Sequence, residues 1–143
     1  MRSILLIAES DLELRDACRR FFAERGYDVE TAADGLDCVE KLRRVSPAVL
    51  VLDRELRWGG ADGVLALLRE QGAQCEVSVV LTAPTDDSAN VAVDIERPVV
   101  RFLPKPFGLT ALLESVRGLM VRTGLENPFV WNRGFASPEL FIG

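Results

Sequence analysis

Four apolar runs in this sequence each lead into side chains that can do chemistry. The runs cover residues 3–8, 48–52, 77–81 and 99–103. Two of the polar side chains that follow are carboxylates, one is a hydroxyl and one, after a single proline, is an amine: Glu9, Asp53, Thr82 and Lys105. If the runs are strands of an open parallel α/β sheet, their carboxyl ends border one crevice, where sites form. The sequence therefore predicts a site at these strand ends.

Two carboxylates, a hydroxyl and an amine at one sheet edge suit phosphoryl transfer. A carboxylate can attack phosphorus and form an acyl phosphate. Because the transferred group carries dispersed negative charge, catalysis depends mainly on positioning and on neutralising that charge. Lys105 would supply one positive charge, carboxylate-bound Mg²⁺ another, and the Thr82 hydroxyl would donate to a phosphoryl oxygen. Each residue alone also has an ordinary role, as a turn former, a solvated lysine or a β-branched strand residue.

The elements that must position these residues alternate along the chain. Apolar residues at helical spacing predict helices over about residues 14–25, 34–45, 63–71 and 109–123. A short strand at 27–31 brings the number of strands to five. Alternating strands and helices imply a single doubly wound parallel sheet with helices on both faces. The near-continuous apolar strands agree, because both faces of such strands are buried.

Two segments do not fit this alternation. Residues 86–98, where a fourth helix should stand before the last strand, contain β-branched residues, weak helix formers and a terminal proline, so we predict a short, degenerate helix. Residues 124–143 show no helical or strand period, yet hold four of the ten aromatic residues. We expect residues 1–123 to form one domain, and 124–143 a tail that folds over it, docks a partner or mediates self-association.

Composition excludes several other classes of function. A chain of 143 residues with a net charge of −5 suits one acidic domain and argues against direct binding to nucleic acid or anionic membranes. Histidine is absent, which excludes a Ser-His-Asp hydrolase and a histidine-ligated zinc site. The sequence contains no run of about 18 apolar residues, and we expect no signal peptide. Because the scattered Cys18, Cys38 and Cys75 suit small core residues in a reducing compartment, we expect a cytoplasmic protein.

The order of these motifs resembles the receiver domain of two-component response regulators over about residues 2–122. In that family an acidic pair follows strand one, the phosphoacceptor aspartate ends strand three, a serine or threonine ends strand four and Lys-Pro follows strand five. The matching motifs are Glu9-Ser10, Asp53, Thr82 and Lys105-Pro106, supported by Gly26-Tyr27-Asp28-Val29, Ala33-Asp34-Gly35 and Asp62-Gly63. The resemblance implies a flavodoxin-like sheet of five parallel strands in the order 2-1-3-4-5.

The resemblance also implies how phosphoryl transfer and switching would work. Asp53 would be the phosphoacceptor, with Lys105 and Thr82 assisting. The phosphodonor would be a phosphohistidine on a histidine kinase or histidine phosphotransfer protein, which the absence of histidine in this chain fits. Thr82 and Phe102 would form the switch pair and reshape an output face made by residues 86–98, the last strand and the last helix. The Lys105–Pro106 peptide would be cis.

The metal site implied by the resemblance lacks one ligand. Mg²⁺ would be held by Glu9, Asp53 and the backbone carbonyl of Glu55, with Ser10, at the position of the second acid, as a further candidate. An alignment shifted by one residue would instead place Ala8 and Glu9 at the pair. A missing unit charge about 4 Å from the metal is worth ~1 kcal/mol in water and ~4 kcal/mol at an effective dielectric of 20. We therefore expect weak Mg²⁺ binding, with an affinity lowered by roughly tenfold to a thousandfold.

Ser10 leaves two functions open. The first is a signalling receiver, phosphorylated on Asp53, that changes its affinity for an unidentified downstream partner or a second copy. The second is a pseudo-receiver that works by protein–protein contact without phosphorylation. A phosphatase-like hydrolase is disfavoured, because Asp53-Arg54-Glu55 lacks the second aspartate that such enzymes use. We expect the loop after Asp53, which lacks the family's proline, to be longer than usual, with Trp58 packed over it.

Overall fold

The computed structural model describes residues 3–58, 60–84 and 96–122, without the side chains of residues 121 and 122. Within these ranges there are five strands: β1 Ile4–Ala8, β2 Asp28–Ala32, β3 Val49–Asp53, β4 Ser78–Pro84 and β5 Val99–Lys105. The same ranges contain four α helices: α1 Leu12–Ala23, α2 Gly35–Val45, α3 Gly60–Glu70 and α4 Leu109–Arg122. One short 3-10 helix, Gly72–Gln74, follows α3.

All neighbouring strands pair in parallel, in the order β2-β1-β3-β4-β5. The predicted doubly wound, flavodoxin-like sheet is confirmed. Every residue of the central strand β3 is buried, which explains its uninterrupted apolar sequence up to Asp53. In the register, Ala8 pairs with Leu52 and Asp53 pairs with Thr82, so the carboxyl ends of β1, β3 and β4 finish side by side.

The strand residues divide into two cores because successive side chains point to opposite faces of a sheet. Leu50 and Leu52 face the core packed by α2 and α3, whereas Val49 and Val51 face the core packed by α1 and α4. Cys38 lies in the first core and Cys18 in the second, as predicted for small core residues, whereas Cys75 is only half-buried.

Capping residues fix where the helices begin. Asp11 caps α1 by accepting hydrogen bonds from the N–H groups of Glu13 and Leu14, and Asp34 caps α2.

The predicted start of α3 at Gly63 is wrong, because the helix begins at Gly60. The extra turn buries Ala61 completely and lets its N–H donate to the carbonyl of Arg54. A single small residue carries little periodic signal, which is why the sequence pattern missed this turn.

Two predictions concern parts of the chain outside the described residues. These are the degenerate helix, of which residues 86–95 are not described, and the tail at 124–143. The described chain resumes at Glu96 and is attached to α3, where the Arg69 guanidinium donates to the carbonyls of Glu96 and Arg97, each at 3.1 Å. Among the described helices, none is long and apolar enough to cross a bilayer.

Candidate functional site

The carboxyl edge of the sheet brings the four predicted side chains to one place. Asp53 ends β3, Glu9 follows β1, Lys105 ends β5, and Thr82 lies in β4 in register with Asp53. The exposed fractions of Glu9, Asp53 and Thr82 are only 5%, 3% and 1%. Burying a charge costs free energy unless it is paired and hydrogen-bonded. The partners of these buried groups therefore determine what the site can do.

Lys105 bridges the two carboxylates. Its Nζ lies 2.8 Å from Oε1 of Glu9 and 3.3 Å from Oδ1 of Asp53. Because β4 stands between β5 and β3 in the sheet, the lysine side chain must extend across the end of β4 to make these contacts. The Lys105–Pro106 peptide that follows is cis, the form that the resemblance implied.

Two backbone N–H groups also hold the carboxylates, and they leave the two oxygens of Asp53 in different surroundings. The Asp11 N–H donates to Oε2 of Glu9 at 3.0 Å, so both oxygens of Glu9 are engaged. The Glu55 N–H donates to Oδ1 of Asp53 at 3.1 Å, the same oxygen that contacts Lys105. Within the described ranges, no group donates to Oδ2 of Asp53. The described residues thus leave the lone pairs of Oδ2 open to an incoming group.

Burial and charge act in opposite directions on the Lys105–Glu9 pair. Burial raises the pKa of Glu9, and the hydrogen bonds from Lys105 and the Asp11 N–H offset this only in part. Burial also disfavours the charged form of Lys105, but the hydrogen bond to Glu9 and the charge of Asp53 outweigh it, so the pKa of Lys105 is raised. Lys105 therefore carries its positive charge at neutral pH and serves as the counter-charge of the two acids.

An open cleft of about 640 Å³ lies over these groups, and its lining residues are Glu9, Ser10, Asp11, Leu12, Asp53, Glu55, Arg57 and Lys105. Its oxygen donors suit Mg²⁺, which proteins commonly bind through one or two carboxylates while it retains several waters. Glu9 and Asp53 supply that number. In the described part of the chain, no cluster of three or more acidic, histidine or cysteine side chains could hold a metal. The side chains of the cleft therefore fit an Mg²⁺ ion that is held by two carboxylates and keeps waters as further ligands.

The surroundings of Ala8 and Ser10 distinguish the two alignments of the acidic pair. Ala8 is the last residue of β1 and is fully buried in the core on the α2–α3 side of the sheet. Ser10 lines the cleft, and its Oγ accepts a hydrogen bond from the Arg57 N–H at 2.9 Å. A side chain at position 10 faces the cleft and one at position 8 does not, which supports the alignment that pairs Glu9 with Ser10.

The remaining predicted residues lie around this centre. Thr82 is buried in β4, and Phe102 stands opposite Leu81 in β5, half-buried against the core on the α2–α3 side. Thr82 and Phe102 therefore lie on adjacent strands, one residue apart in register. Glu55 lines the cleft and presents its N–H to Asp53.

Two contacts that sequence analysis missed fasten the loop of residues 54–58. One is the bond from the Arg57 N–H to Ser10, and the other runs from the Gly35 N–H to the Arg57 carbonyl at 2.8 Å. The prediction that Trp58 packs over the loop is wrong, because 72% of this residue is exposed. Its carbonyl, rather than its ring, makes the inward contact, since that oxygen fills the space where a Cβ at Gly35 would stand.

Gly35→Ala is expected to lower the free energy of unfolding by ~1–3 kcal/mol, the usual cost of forcing extra atoms into a packed site. The added methyl group would overlap the Trp58 carbonyl and push the loop away from α2. The matched control is Gly63→Ala, which meets no atom within 4 Å inside α3 and should be neutral or slightly stabilising. Urea denaturation of both variants measures the difference, and equal stabilities would refute this packing argument.

Comparison with known proteins identifies one family. The sequence matches the family model of the response regulator receiver domain over residues 5–117. Response regulator MprA of Mycobacterium ulcerans is 36% identical over 124 residues, which are 86% of this chain and 52% of that protein. A putative transcriptional regulator of Haloferax volcanii is 31% identical over 124 residues, or 87% of this chain and 20% of the relative. The chain thus spans about half or less of the length of these relatives.

Solved structures share the same fold. The receiver domain of the Francisella response regulator 1452 superposes with a TM-score of 0.77 at 24% identity, covering 85% of this chain and 99% of that one. The signal receiver domain of a putative Luxo repressor protein from Vibrio parahaemolyticus gives 0.78 at 24% identity, covering 94% and 99%.

The matched region contains all four residues that meet at the carboxyl edge of the sheet. The predicted resemblance is therefore confirmed by sequence and by fold. Receiver domains of response regulators are signalling modules that interact with histidine kinases and typically bind Mg²⁺. This chain belongs to the response regulator receiver domain family.

Proposed function

We propose that this domain accepts a phosphoryl group on Asp53 from the phosphohistidine of a histidine kinase or histidine phosphotransfer protein. The observation that carries the proposal is the asymmetry of the Asp53 carboxylate. Oδ1 is held by Lys105 and by the Glu55 N–H, which orients the group, whereas Oδ2 accepts no hydrogen bond from the described residues. The carboxylate is thus fixed in position while one oxygen stays nucleophilic.

In the proposed step, Oδ2 of Asp53 attacks phosphorus, a P–O bond forms and the P–N bond to the donor imidazole breaks. The imidazole nitrogen leaves with the electron pair. Lys105, already charged beside Asp53, would move to a phosphoryl oxygen, and the Thr82 hydroxyl would donate to another. Mg²⁺, when held by Glu9, Asp53, the Glu55 carbonyl and Ser10, would neutralise further negative charge.

Phosphorylation would then change the surface on the β4–β5 side of the sheet. The supporting observation is that Thr82 and Phe102 lie on adjacent paired strands, one residue apart in register, so a shift of the backbone at the end of β4 would be passed to β5. The proposed output face comprises β5, α4 and the segment at 86–98. The affinity of this face for a downstream protein or a second copy is the quantity that phosphorylation would change.

Incubation with acetyl phosphate and Mg²⁺ tests the proposal without the cognate kinase. Intact mass should rise by one phosphoryl group, and hydroxylamine should remove it, because acyl phosphates are cleaved by this nucleophile. The pseudo-receiver alternative is favoured by one observation, the serine in place of the second acid at Ser10. A complete lack of adduct at saturating Mg²⁺ would select that alternative.

Lys105→Met is expected to slow phosphorylation and, at the same time, to tighten Mg²⁺ binding. The amine contacts both carboxylates that would hold the metal, so lysine and Mg²⁺ compete for the same oxygens. A unit charge about 4 Å away contributes ~1–4 kcal/mol, and because Lys105 is partly exposed we expect the lower end, about tenfold in affinity. Titration calorimetry measures the change.

The control for this variant is Lys41→Met, the chain's other lysine, which pairs with Asp37 on α2. Its Mg²⁺ affinity should equal that of the wild type. Unchanged or weaker binding by Lys105→Met would show that the amine does not compete with the metal.

A further inference from the structure

A second concave surface lies at the opposite edge of the sheet from the Asp53 site. This amino-edge groove, of about 1260 Å³, runs beneath the amino ends of β1, β3, β4 and β5. Its lining includes six partly exposed apolar or thiol side chains: Leu42, Val45, Leu67, Cys75, Val77 and Val100. The exposed Arg43, Glu76 and Arg97 also line it, so its charged side chains leave an excess of one positive charge. The groove therefore combines partly exposed apolar side chains with polar and charged ones, a lining that can accept a peptide segment of mixed composition.

Helix α4 delivers the end of the chain to this groove. The helix begins at Leu109, just beyond the carboxyl end of β5, and runs back toward the amino edge. Leu119, in its last turns, lines the groove, and Arg122 is its final residue. The described chain therefore ends beside the groove rather than beside Asp53.

The segment 124–143 has the length and chemistry to fill the groove. It has 20 residues, and an extended chain spans up to about 3.3 Å per residue, far more than the width of one domain edge. Four aromatic side chains and two acids occur in it: Phe129, Trp131, Phe135, Phe141, Glu126 and Glu139. The aromatic groups suit the apolar side chains of the groove. With two acids and Arg133 the side chains of the segment carry a net charge of −1, opposite in sign to the charged side chains of the groove lining. The segment also lies beyond residue 117, where the family match ends.

We propose that residues 124–143 dock into the amino-edge groove of their own chain. The interaction is distinct from phosphoryl transfer, because the groove and Asp53 lie at opposite edges of the sheet.

Cys75 provides a built-in probe of groove occupancy. It lines the groove and is half-exposed, whereas Cys18 and Cys38 are buried in the cores. Burial raises the pKa of Cys18 to about 11 and that of Cys38 to about 12, so neither forms an appreciable amount of reactive thiolate at pH 8. A thiol reagent applied to the folded chain at pH 8 therefore reports on Cys75.

The test compares the rate of Cys75 labelling by Ellman's reagent in the wild type and in a full-length variant whose four tail aromatics are changed to serine. If the docked state is about 90% populated, removing it raises the rate about tenfold. The control is Trp58→Ser, which removes an exposed aromatic ring far from the groove and should leave the rate unchanged. Equal rates in the wild type and the tail variant would overturn the proposal.

The fluorescence of Trp131 provides an independent test of docking that needs no substitution in the tail. In a Trp58→Phe background Trp131 is the sole tryptophan, and docking should shift its emission to shorter wavelength and shield it from acrylamide. Leu67→Arg in the groove should abolish both effects. Full acrylamide access in the parent would overturn the proposal. If the acrylamide shielding of Trp131 or the labelling rate of Cys75 depends on protein concentration, docking within one chain is overturned. The groove would then hold the tail of a second copy.

Discussion

Asp53→Asn is expected to abolish formation of the hydroxylamine-sensitive phosphoryl adduct with acetyl phosphate and Mg²⁺. The amide replaces the nucleophilic Oδ2 with a group that cannot form an acyl phosphate, while the shape of the side chain is retained. The Glu55 N–H can still donate to the remaining carbonyl oxygen, so the loop that begins at residue 54 should stay in place. Intact-mass spectrometry after timed incubation is the measurement.

The matched control for this variant is Asp16→Asn, an exposed acid on α1 that pairs with Arg19 and Arg20. This control removes one carboxylate of the same type that does not line the cleft, and its adduct yield should equal that of the wild type. An adduct that survives Asp53→Asn would place the acceptor elsewhere, and peptide mapping would then identify it.

Ser10→Asp is expected to tighten Mg²⁺ binding by roughly tenfold to a thousandfold, which corresponds to ~1–4 kcal/mol for a unit charge about 4 Å from the metal. Position 10 lines the cleft beside Glu9 and Asp53. One oxygen of the new carboxylate can accept the Arg57 N–H in place of the serine Oγ, which leaves the other for the metal. Titration calorimetry at low ionic strength measures the affinity.

Ser115→Asp is the control for added charge, because this serine lies on α4 with its Oγ bonded to the Ala111 carbonyl. It changes the net charge equally without adding a ligand, so its affinity should match the wild type. If Ser10→Asp binds Mg²⁺ no more tightly than Ser115→Asp does, position 10 does not face the metal.

The sequence alone was sufficient to predict the sheet and to place Glu9, Asp53 and Thr82 at its carboxyl edge. The apolar runs of β1, β3 and β4 are nearly continuous because both faces of those strands are buried, and each run stops where the chain meets the cleft. In a parallel sheet, strand ends of like polarity must lie at one edge. The strand-end residues Glu9, Asp53 and Thr82 were therefore identifiable from local pattern.

Only the tertiary structure determined how those residues contact one another. Lys105 and Glu9 are 96 positions apart, and Ser10 and Arg57 are 47 apart, so no local period reports their contacts. Both contacts depend on the strand order and on the conformation of the loop after β3. The same holds for Oδ2 of Asp53, to which no described residue donates, and for the crowding of Gly35 by the Trp58 carbonyl. Local sequence patterns indicate which residues end the strands and in which direction the strands run. Contacts between side chains that are distant in sequence form only once the strands have paired and the loops have taken their conformations.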